Sequence, residues 1–294
     1  MLAHGGNYMK LAYMMLAHKG KEQIMLLIES MSDENVDIYI HIDAKTNELH
    51  RSLVNECKSF VNVYIIENRI AGNWSGFSLV EATLVLMREA SKKHYDYVSL
   101  ISGQDFLIKN IKYIKKFLTD NYGNQYITWQ DIGKHYWRLK CFNFFSESIS
   151  NRKFHIRMID NAVRQFQKLF MIRRKNLKNL SLYKGSQWFT ITFEAAQYVL
   201  EYIEKNPCFM NDYKYTSCAD ESFIQIILLN SKFRANLVNK NLVYLDWENS
   251  KKKSPKILTL DDFTNLNNSD NLFARKFDLD VDKQVLYYIK ENLI

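Results

Sequence analysis

The sequence predicts an α/β fold whose central sheet is mostly parallel and is flanked by helices. In the first half of the chain, apolar β-branched runs alternate with segments of helical spacing. Strands separated by helices in this rhythm are typical of a parallel sheet that is covered on both faces. Several of the apolar runs also end in polar residues, and ligands bind at the carboxyl edge of such sheets.

Each predicted element follows from the spacing of its apolar residues and from the residues that flank it. Strands are predicted at 10–18, 36–43, 60–67, 95–103, 186–192 and 241–247, and helices at 21–32, 78–93, 193–206 and 220–231. Ser78 suits the N-cap of its helix. Pro207 stops the helix before it, since proline cannot continue a helix. Asp220 and Glu221 lie in a first turn, where acids suit the helix dipole.

Residues 130–180 have a different composition, because arginine and lysine crowd with aromatic residues there. Three interpretations stay open for this segment. It is a solvated basic helix face, a loop-rich lobe over the binding site, or a patch that meets an anionic membrane.

The overall composition is that of a compact globular protein. The 294 residues are 47% apolar and include only 9 Gly and 2 Pro, so the chain can bury one large core or two fused smaller ones. No linker rich in Gly, Ser or Pro divides it. The formal charge of +8 favours acidic partners, which include nucleic acid, an anionic membrane face and phosphate-bearing small molecules.

The spacing of the cysteines and the composition of the N-terminal segment bear on the cellular location of the protein. The 4 cysteines lie far apart without CxxC spacing, which argues against a disulfide scaffold and a structural zinc site. No uninterrupted apolar run reaches the ~18 residues that span a bilayer, and the N-terminal segment lacks the pattern of a signal peptide. We therefore expect a cytoplasmic protein, with peripheral contact at the inner face of the plasma membrane as a further expectation. Met1 and Met9 are alternative starts.

Polar residues close three of the predicted strands. His18 follows the first, Asp43 the second, and Gln104 and Asp105 the fourth. Taken singly, each is explained by a turn or a helix cap. Because three strands end in this way, the sequence favours a binding site at their carboxyl edge.

Eight motifs occur in the order found in the core-2/I-branching family of branch-forming β-1,6-N-acetylglucosaminyltransferases and peptide O-xylosyltransferases. They are AYMMLAHKG, IYIHIDAK, NWSGFSLVEATLVLM, YDYVSLISGQDFLIK, GSQWFTITFEAAQYVL, ADESFIQIILLNS, DW and LFARKFD. The chain resembles this family from roughly Lys10 to Asp282. The resemblance implies an inverting glycosyltransferase with one GT-A-like domain over 1–294, and the sparse cysteines and the absence of an apolar anchor favour a bacterial member. Its nucleotide-binding half would be 1–130 and its acceptor-binding and catalytic half 131–294.

The resemblance also bears on metal use. Relatives with the GT-A fold usually place an Asp-x-Asp at the end of a central strand to hold a divalent cation, whereas this chain has His41, Ile42 and Asp43. Because Mg²⁺ and Mn²⁺ prefer several oxygen ligands, one carboxylate beside an imidazole is a poor cage. We expect no metal and no other cofactor, and the matching family Asp implies that Asp43 contacts the uracil or the ribose.

Without a metal, fixed cations must neutralise the diphosphate as it leaves. The family uses two basic residues near the C-terminus, and the matching positions are Lys256 and Lys276, with Arg275 as a helper. Well-known animal members have Arg at the first position, so Lys256 keeps the charge but loses the bidentate geometry. The adjacent lysines at 251–253 are substitutes for it. A surface cation is the alternative for each lysine.

An inverting mechanism also needs a base for the acceptor hydroxyl. Glu221 matches the family's catalytic Glu, and its neighbour Asp220 is interpreted as a helix cap. Trp247 matches an acceptor-contacting Trp, with Trp137 and Trp188 as further acceptor-side candidates. Core packing is the alternative for each tryptophan, and for Trp74 and Trp188 the two interpretations are about equal. The predicted donor-side residues are His18, Asp43, Trp74, Asp105, Lys256, Arg275 and Lys276.

The function expected from these residues is transfer of a sugar from a UDP-sugar to a hydroxyl of a glycan or lipid-linked oligosaccharide in surface polysaccharide synthesis. UDP-N-acetylglucosamine is the first donor candidate, followed by UDP-xylose and UDP-galactose. One alternative is a glycoside hydrolase that uses Asp220 or Glu221 with Asp105 as its acid and base. Another is a nucleic-acid-binding protein that uses the basic aromatic stretch, although no motif for nucleic-acid recognition occurs and none is expected as a partner.

Overall fold

The computed structural model describes residues 8–151, 153–247 and 254–294. The strands are β1 (Leu11–Ala17), β2 (Val36–Ile42), β3 (Val63–Ile65), β4 (Tyr97–Ser102), β5 (Asp105–Leu107), β6 (Gln125–Ile127), β7 (Gln130–Asp131), β8 (Tyr183–Lys184), β9 (Phe189–Thr192), β10 (Leu237–Asn239), β11 (Val243–Leu245) and β12 (Phe273–Arg275). The helices are α1 (Lys21–Ser30), α2 (Asn47–Glu56), α3 (Ser78–Ala90), α4 (Ile111–Asp120), α5 (Trp137–Lys140), α6 (Phe154–Leu169), α7 (Phe193–Lys205), α8 (Pro207–Tyr213), α9 (Phe223–Leu229), α10 (Phe263–Asn267) and α11 (Gln284–Leu293).

The main sheet has seven strands in the order β10-β6-β9-β4-β1-β2-β3. The strand β1 pairs in parallel with both β2 and β4, while β9 runs antiparallel to β4 and β6. The predicted α/β fold with a mostly parallel sheet is therefore confirmed. The strands β1, β2 and β4 are buried along almost their whole length, which explains why they read as continuous apolar runs.

A second, three-stranded sheet has the order β11-β12-β5. In it β12 runs antiparallel to β5, and the register places Arg275 opposite Asp105. The Phe277 N–H donates to the Gln104 carbonyl at 2.9 Å. These contacts bring the C-terminal segment to the carboxyl end of β4.

The start of α3 differs from the prediction. Ser78 is the first helical residue rather than the N-cap, and Phe77 at the N-cap offers no side-chain acceptor. Instead, Glu147 accepts hydrogen bonds from the Ser78 N–H at 2.6 Å and from the Ser78 hydroxyl at 3.0 Å. A carboxylate from 69 residues away thus satisfies a free N–H of the first turn.

Two other helix boundaries were predicted only in part. Pro207 ends α7 as expected, but it also begins α8, because proline is tolerated at the first helical position. Asp220 and Glu221 lie in a separate 3-10 turn, Ala219–Glu221, that precedes α9. They therefore do not occupy the first turn of that helix.

Between β7 and β8 the chain forms a lobe that contains α5 and α6. Since α6 has 16 residues, the expectation of a loop-rich lobe is wrong for this part. Glu147 ties the lobe to the loop before α3 by accepting hydrogen bonds from Asn73 as well as from Ser78. One contiguous apolar core runs from Met9 to Ile289 and includes residues of both halves of the chain. The lysines at 251–253 lie outside the described residues.

Candidate active site

The strands β1, β2 and β4 end side by side, because the register pairs Ala17 with Ile42 and Leu16 with Ser102. The residues that follow them are His18 and Lys19, Asp43, and the turn that leads to Asp105. The sheet thus brings together the polar strand ends that the sequence indicated.

Asp43 organises the loop opposite it. Its Oδ1 accepts the Lys45 N–H at 2.8 Å, and its Oδ2 accepts the Gly72 N–H at 3.2 Å. A Cβ at Gly72 would lie 3.2 Å from the same Oδ2, so glycine allows this close approach. The carboxylate keeps some exposed surface at the sheet edge.

His41 is buried and ties the same loop to β2. Its Nε2 accepts the Ile70 N–H at 2.8 Å, which assigns the proton of the neutral ring to Nδ1. Burial is the main cause that lowers the pKa of His41. In the described ranges, no group of three or more His, Cys, Asp or Glu side chains is placed to hold a metal ion.

Three cations gather around His18. Partial burial and then Lys276, Lys19 and Arg275 lower the pKa of this imidazole, while Asp43 raises it. The pKa of Lys276 is lowered first by burial and then by Arg275 and Lys19. Burial is the larger cause of both shifts, and the neighbouring cations add to it, so His18, Lys19, Arg275 and Lys276 form a basic group in which an anion would be bound favourably.

Arg275 is held rigidly. Its Nη1 lies 2.7 Å from the Asp105 Oδ1, and its guanidinium stacks over the Trp188 ring at 4.3 Å from the centroid. Asp105 has no exposed surface, and its other oxygen accepts the Ser102 N–H at 2.8 Å. A fully buried side chain offers nothing to a donor in a cleft, so the predicted direct contact of Asp105 is corrected to an indirect one through Arg275.

Trp188 needs a similar correction as an acceptor-side residue. It is only 9% exposed and packs in the core beneath Arg275. Its observed role is to support a cation, which explains why an aromatic residue stands just before β9.

The other two cations differ in their partners. Lys19 pairs with Asp278 at 2.6 Å, and this hydrogen bond is the main cause that lowers the pKa of Asp278. Lys276 is partly buried, and within residues 8–151, 153–247 and 254–294 its ammonium makes no ion pair or side-chain hydrogen bond. Its charge is thus the least compensated of the three.

Lys256 lies apart from this group. Its ammonium pairs with Asp262 at 2.8 Å, and it is not among the charges that shift the pKa of His18 or Lys276. The segment that carries Lys256 nevertheless runs beside Lys276, since the N–H of Leu258, two residues after Lys256, donates to the Lys276 carbonyl at 2.8 Å. The structure therefore brings Lys276 and Arg275 together with His18, and it replaces Lys256 with Lys19 as their third neighbour.

Glu221 lies beside a cleft, because its ion-pair partner Arg138 lines that cleft. Its side chain is 43% exposed, and its Oε2 accepts a hydrogen bond from the Arg138 Nη1 at 2.7 Å. Its backbone carbonyl accepts the Gly185 N–H at 2.6 Å. A Cβ at Gly185 would lie 1.8 Å from the Thr128 carbonyl oxygen, so only glycine fits beside this turn.

The cleft beside this ion pair has a volume of about 550 Å³. Trp74 and Trp137 both line it, together with Arg138 and Arg164, whose guanidinium lies 4.2 Å from the Trp137 ring centroid. Trp74 was predicted on the donor side but shares this cleft with Trp137, which was predicted on the acceptor side. Trp247 is 50% exposed and is not among the described residues that line the cleft.

Asp220 points into the protein rather than capping α9. It lines a small interior cavity with Leu84 and Phe223. Burial, followed by the charge of Glu221, raises the pKa of Asp220 to about 7. Asp220 is therefore a protonatable group beneath the exposed Glu221.

Asp220 should make the folded state lose stability as the pH rises from about 4 to about 7. In that window the folded chain binds a proton that the unfolded chain has already lost, and each pKa unit corresponds to about 1.4 kcal/mol. We expect Asp220→Asn to remove this loss, on the order of a few kcal/mol. Thermal unfolding of both proteins across this range measures it. Parallel melting profiles of Asp220→Asn and wild type would refute the assignment.

Sequence reasoning missed two residues of this region. Lys19 follows His18 directly in the motif after β1, so its position was visible, but its approach to Lys276 was not. Arg138 stands in the basic aromatic segment 130–180, and no local pattern indicates that it would reach Glu221 83 residues later.

Comparisons with known proteins identify the family. The model of the family described as "Core-2/I-Branching enzyme" matches residues 11–267. Xylosyltransferase 2 of Mus musculus is 26% identical over 309 residues, which cover 98% of this chain and 34% of the relative. Xylosyltransferase sqv-6 of Caenorhabditis elegans is 25% identical over 248 residues, which cover 82% and 29%. The chain thus spans about a third of the length of the curated relatives it matches.

A solved structure from Bacillus anthracis, provisionally assigned as a glucose-1-phosphate thymidylyltransferase in complex with a sucrose, aligns with 78% of this chain and 85% of its own. The TM-score is 0.38 and the identity 12%. Within the described ranges, no helix combines the length and the apolar character that a membrane span requires. Because the family match covers most of the chain, this protein belongs to the Core-2/I-Branching enzyme family of glycosyltransferases.

Proposed function

We propose that this chain transfers a sugar from a UDP-sugar to a hydroxyl group of a glycan, with inversion at the anomeric carbon. The observation that carries the proposal is Lys276, which is partly buried between Arg275 and the Phe277 that hydrogen-bonds Gln104 at the carboxyl end of β4. A cation with little compensation at this edge suits a diphosphate.

On the donor side, each residue has a distinct task. Lys276 lies against the diphosphate and stabilises the negative charge that develops on UDP as the bond to the anomeric carbon breaks. Arg275, fixed by Asp105 and Trp188, adds positive charge from a rigid position. Asp43 keeps the loop around Gly72 in place and contacts the nucleoside with its remaining surface.

On the acceptor side, Glu221 is the base. The acceptor oxygen attacks the anomeric carbon from the face opposite the diphosphate, and its proton passes to Glu221. Arg138 holds Oε2, and no described residue donates a hydrogen bond to Oε1, which leaves that oxygen for the hydroxyl. Trp74 and Trp137 offer apolar faces to the acceptor sugar in the adjoining cleft.

The geometry does not favour hydrolysis by a carboxyl pair. That alternative needs Asp105 as the partner of Asp220 or Glu221 on either side of a glycosidic bond. Asp105 is fully buried and ion-paired with Arg275, so it can reach no substrate. The partly exposed Glu221, together with the separate cationic group of Lys276 and Arg275, fits transfer from a nucleotide better.

The donor is proposed to be UDP-N-acetylglucosamine, and the names of the relatives make UDP-xylose its main rival. The test measures the melting temperature with UDP, UDP-N-acetylglucosamine, UDP-xylose, UDP-galactose and, as a control, GDP-mannose. We expect stabilisation by UDP and by one UDP-sugar, since a ligand that binds only the folded state raises its stability. The stabilising UDP-sugar is then supplied with glycan acceptors, and the product is read by mass. Absence of stabilisation by any uridine nucleotide would overturn the proposal.

Transfer is expected to persist in excess EDTA. The reason is that Lys276 and Arg275 supply positive charge at the proposed diphosphate site, and His41 already accepts a backbone hydrogen bond through Nε2. Initial rates after dialysis against EDTA, with and without added Mn²⁺, measure this. A strict Mn²⁺ requirement would instead implicate Asp43 and a rearranged His41 as ligands.

A further inference from the structure

The helix α6 is amphipathic, but most of its large apolar side chains face solvent and its one fully buried residue is the polar Gln167. On the inner side Gln167 is buried and bonds both to the Phe142 N–H at 2.7 Å and to the Phe142 carbonyl at 2.9 Å, and Asp160 pairs with Arg164. On the outer side Phe154 is 78% exposed and Leu169 is 76% exposed. A helix of a globular protein normally has the opposite orientation.

The exposed apolar surface continues past the end of this helix. Met171 is 79% exposed, and the rings of Phe166 and Phe170 lie 4.4 Å apart between centroids. We call this surface the outer face; its members are Phe154, Met158, Ile159, Phe166, Leu169, Phe170, Met171 and Ile172. A contiguous exposed apolar surface of this kind is typical of an interaction site.

Positive charge surrounds the outer face. From 153 to 182 the sequence has 8 lysine and arginine residues and a single acid, Asp160, which is already paired with Arg164. The exposed cations at the border of the face are Lys153, Arg157, Lys168, Arg173, Lys175 and Lys178. Charge on this surface is therefore almost entirely of one sign.

A second cleft, of about 530 Å³, lies on the C-terminal side of the outer face. One acid, Asp131, lines it with five cations, and three leucines complete much of its wall; the cations are Lys140, Arg173, Arg174, Lys175 and Lys178. Arg174 is buried, and its Nε and Nη1 have no hydrogen-bond partner among the described residues. Cations beside leucines suit a group that is both anionic and apolar.

We propose that the outer face docks on a lipid bilayer that contains anionic headgroups. A helix that lies in the bilayer interface has aromatic and aliphatic residues on one side and cations at its border. Both features occur here, and the charge complementarity selects an anionic lipid surface as the occupant. The apolar side chains enter the headgroup region while the basic ones meet lipid phosphates.

Docking in this way would also orient the acceptor cleft. Phe154 and Met158 of the outer face line that cleft too, as does Arg157. The cleft would open at the level of the headgroups, so the acceptor would be a lipid-linked sugar. This last step rests on the proposed function, whereas membrane docking itself does not.

The test compares co-sedimentation with vesicles of phosphatidylcholine alone and of phosphatidylcholine with roughly one-third phosphatidylglycerol. We expect wild type to bind only the anionic vesicles, and less so when salt rises from about 0.1 M to about 1 M. The double variant Leu169→Glu/Met171→Glu should bind at least about tenfold more weakly, because charges replace two exposed apolar side chains. Neither residue lines the acceptor cleft.

The matched control is Val61→Glu/Val281→Glu, which adds the same charge at positions that are 92% and 57% exposed on other surfaces. It should bind vesicles within about twofold of wild type. Equal binding by the two double variants, or no binding by wild type, would overturn docking. A wild-type dimer that Leu169→Glu/Met171→Glu turns into a monomer, without vesicle binding, would also overturn it and assign the face to a second copy. The UDP-induced rise in melting temperature should be the same in all three proteins, which separates this proposal from the proposed function.

Discussion

Replacement of Glu221 by glutamine is expected to lower the turnover rate by ~10²–10⁴-fold, the range that general-base catalysis supplies. The amide keeps the shape of the side chain and can still accept from Arg138, but it cannot take the proton of the acceptor hydroxyl. UDP affinity should change little, because Glu221 lies on the acceptor side. Steady-state rates at saturating donor and a UDP titration measure the two effects separately.

The control for this variant is Glu194→Gln. Glu194 is also exposed and pairs with one cation, Lys232, at 2.7 Å, but it lies on α7. Its replacement should leave the rate unchanged. Activity of Glu221→Gln within about threefold of wild type, which corresponds to roughly 0.7 kcal/mol in the barrier, would remove Glu221 from the mechanism.

Replacement of Lys276 by methionine is expected to weaken UDP binding by ~10–100-fold. A hydrogen bond to a charged group contributes about 1.5–3 kcal/mol, and each 1.4 kcal/mol is about tenfold in affinity. The turnover rate should fall further, because negative charge grows on the diphosphate in the transition state. Calorimetric titration with UDP and steady-state kinetics provide both values.

Three further variants test whether the effect is specific to Lys276. Lys276→Arg keeps the charge and should recover part of the affinity, while Lys112→Met removes an exposed cation of α4 and should have no effect. Lys256→Met distinguishes the two predicted phosphate-binding lysines, since Lys256 pairs with Asp262 and Lys276 has no acid partner among the described residues. A larger loss of UDP affinity in Lys256→Met than in Lys276→Met would contradict the assignment made here.

Much of the site was visible in the sequence because its parts are local. His18 and Asp43 come directly after runs that can only be buried strands, so their position at the sheet edge follows from the chain itself. The roles of Asp105 and Trp188 could not be predicted in this way. Their burial depends on where β12 places Arg275, a residue that is 170 positions from Asp105.

The orientation of α6 in the lobe could not be predicted from the sequence either. The basic and aromatic composition of the lobe was evident, but which side of α6 faces solvent depends on Gln167 and Phe142 meeting across 25 residues. A helical pattern identifies an apolar side without saying whether the protein covers it. Only the packed lobe reveals that the apolar side is the outer one.

The sequence by itself determined the fold class, the order of the main strands and helices, and the polar residues at the ends of β1 and β2. These follow from periodicity and strand ends, which are properties of short segments. Only the tertiary structure decided that Glu147 caps α3, that Lys19 joins Arg275 and Lys276, and that Arg138 meets Glu221. Such contacts join residues far apart in the chain, and their energies depend on burial and distance, which no local pattern contains.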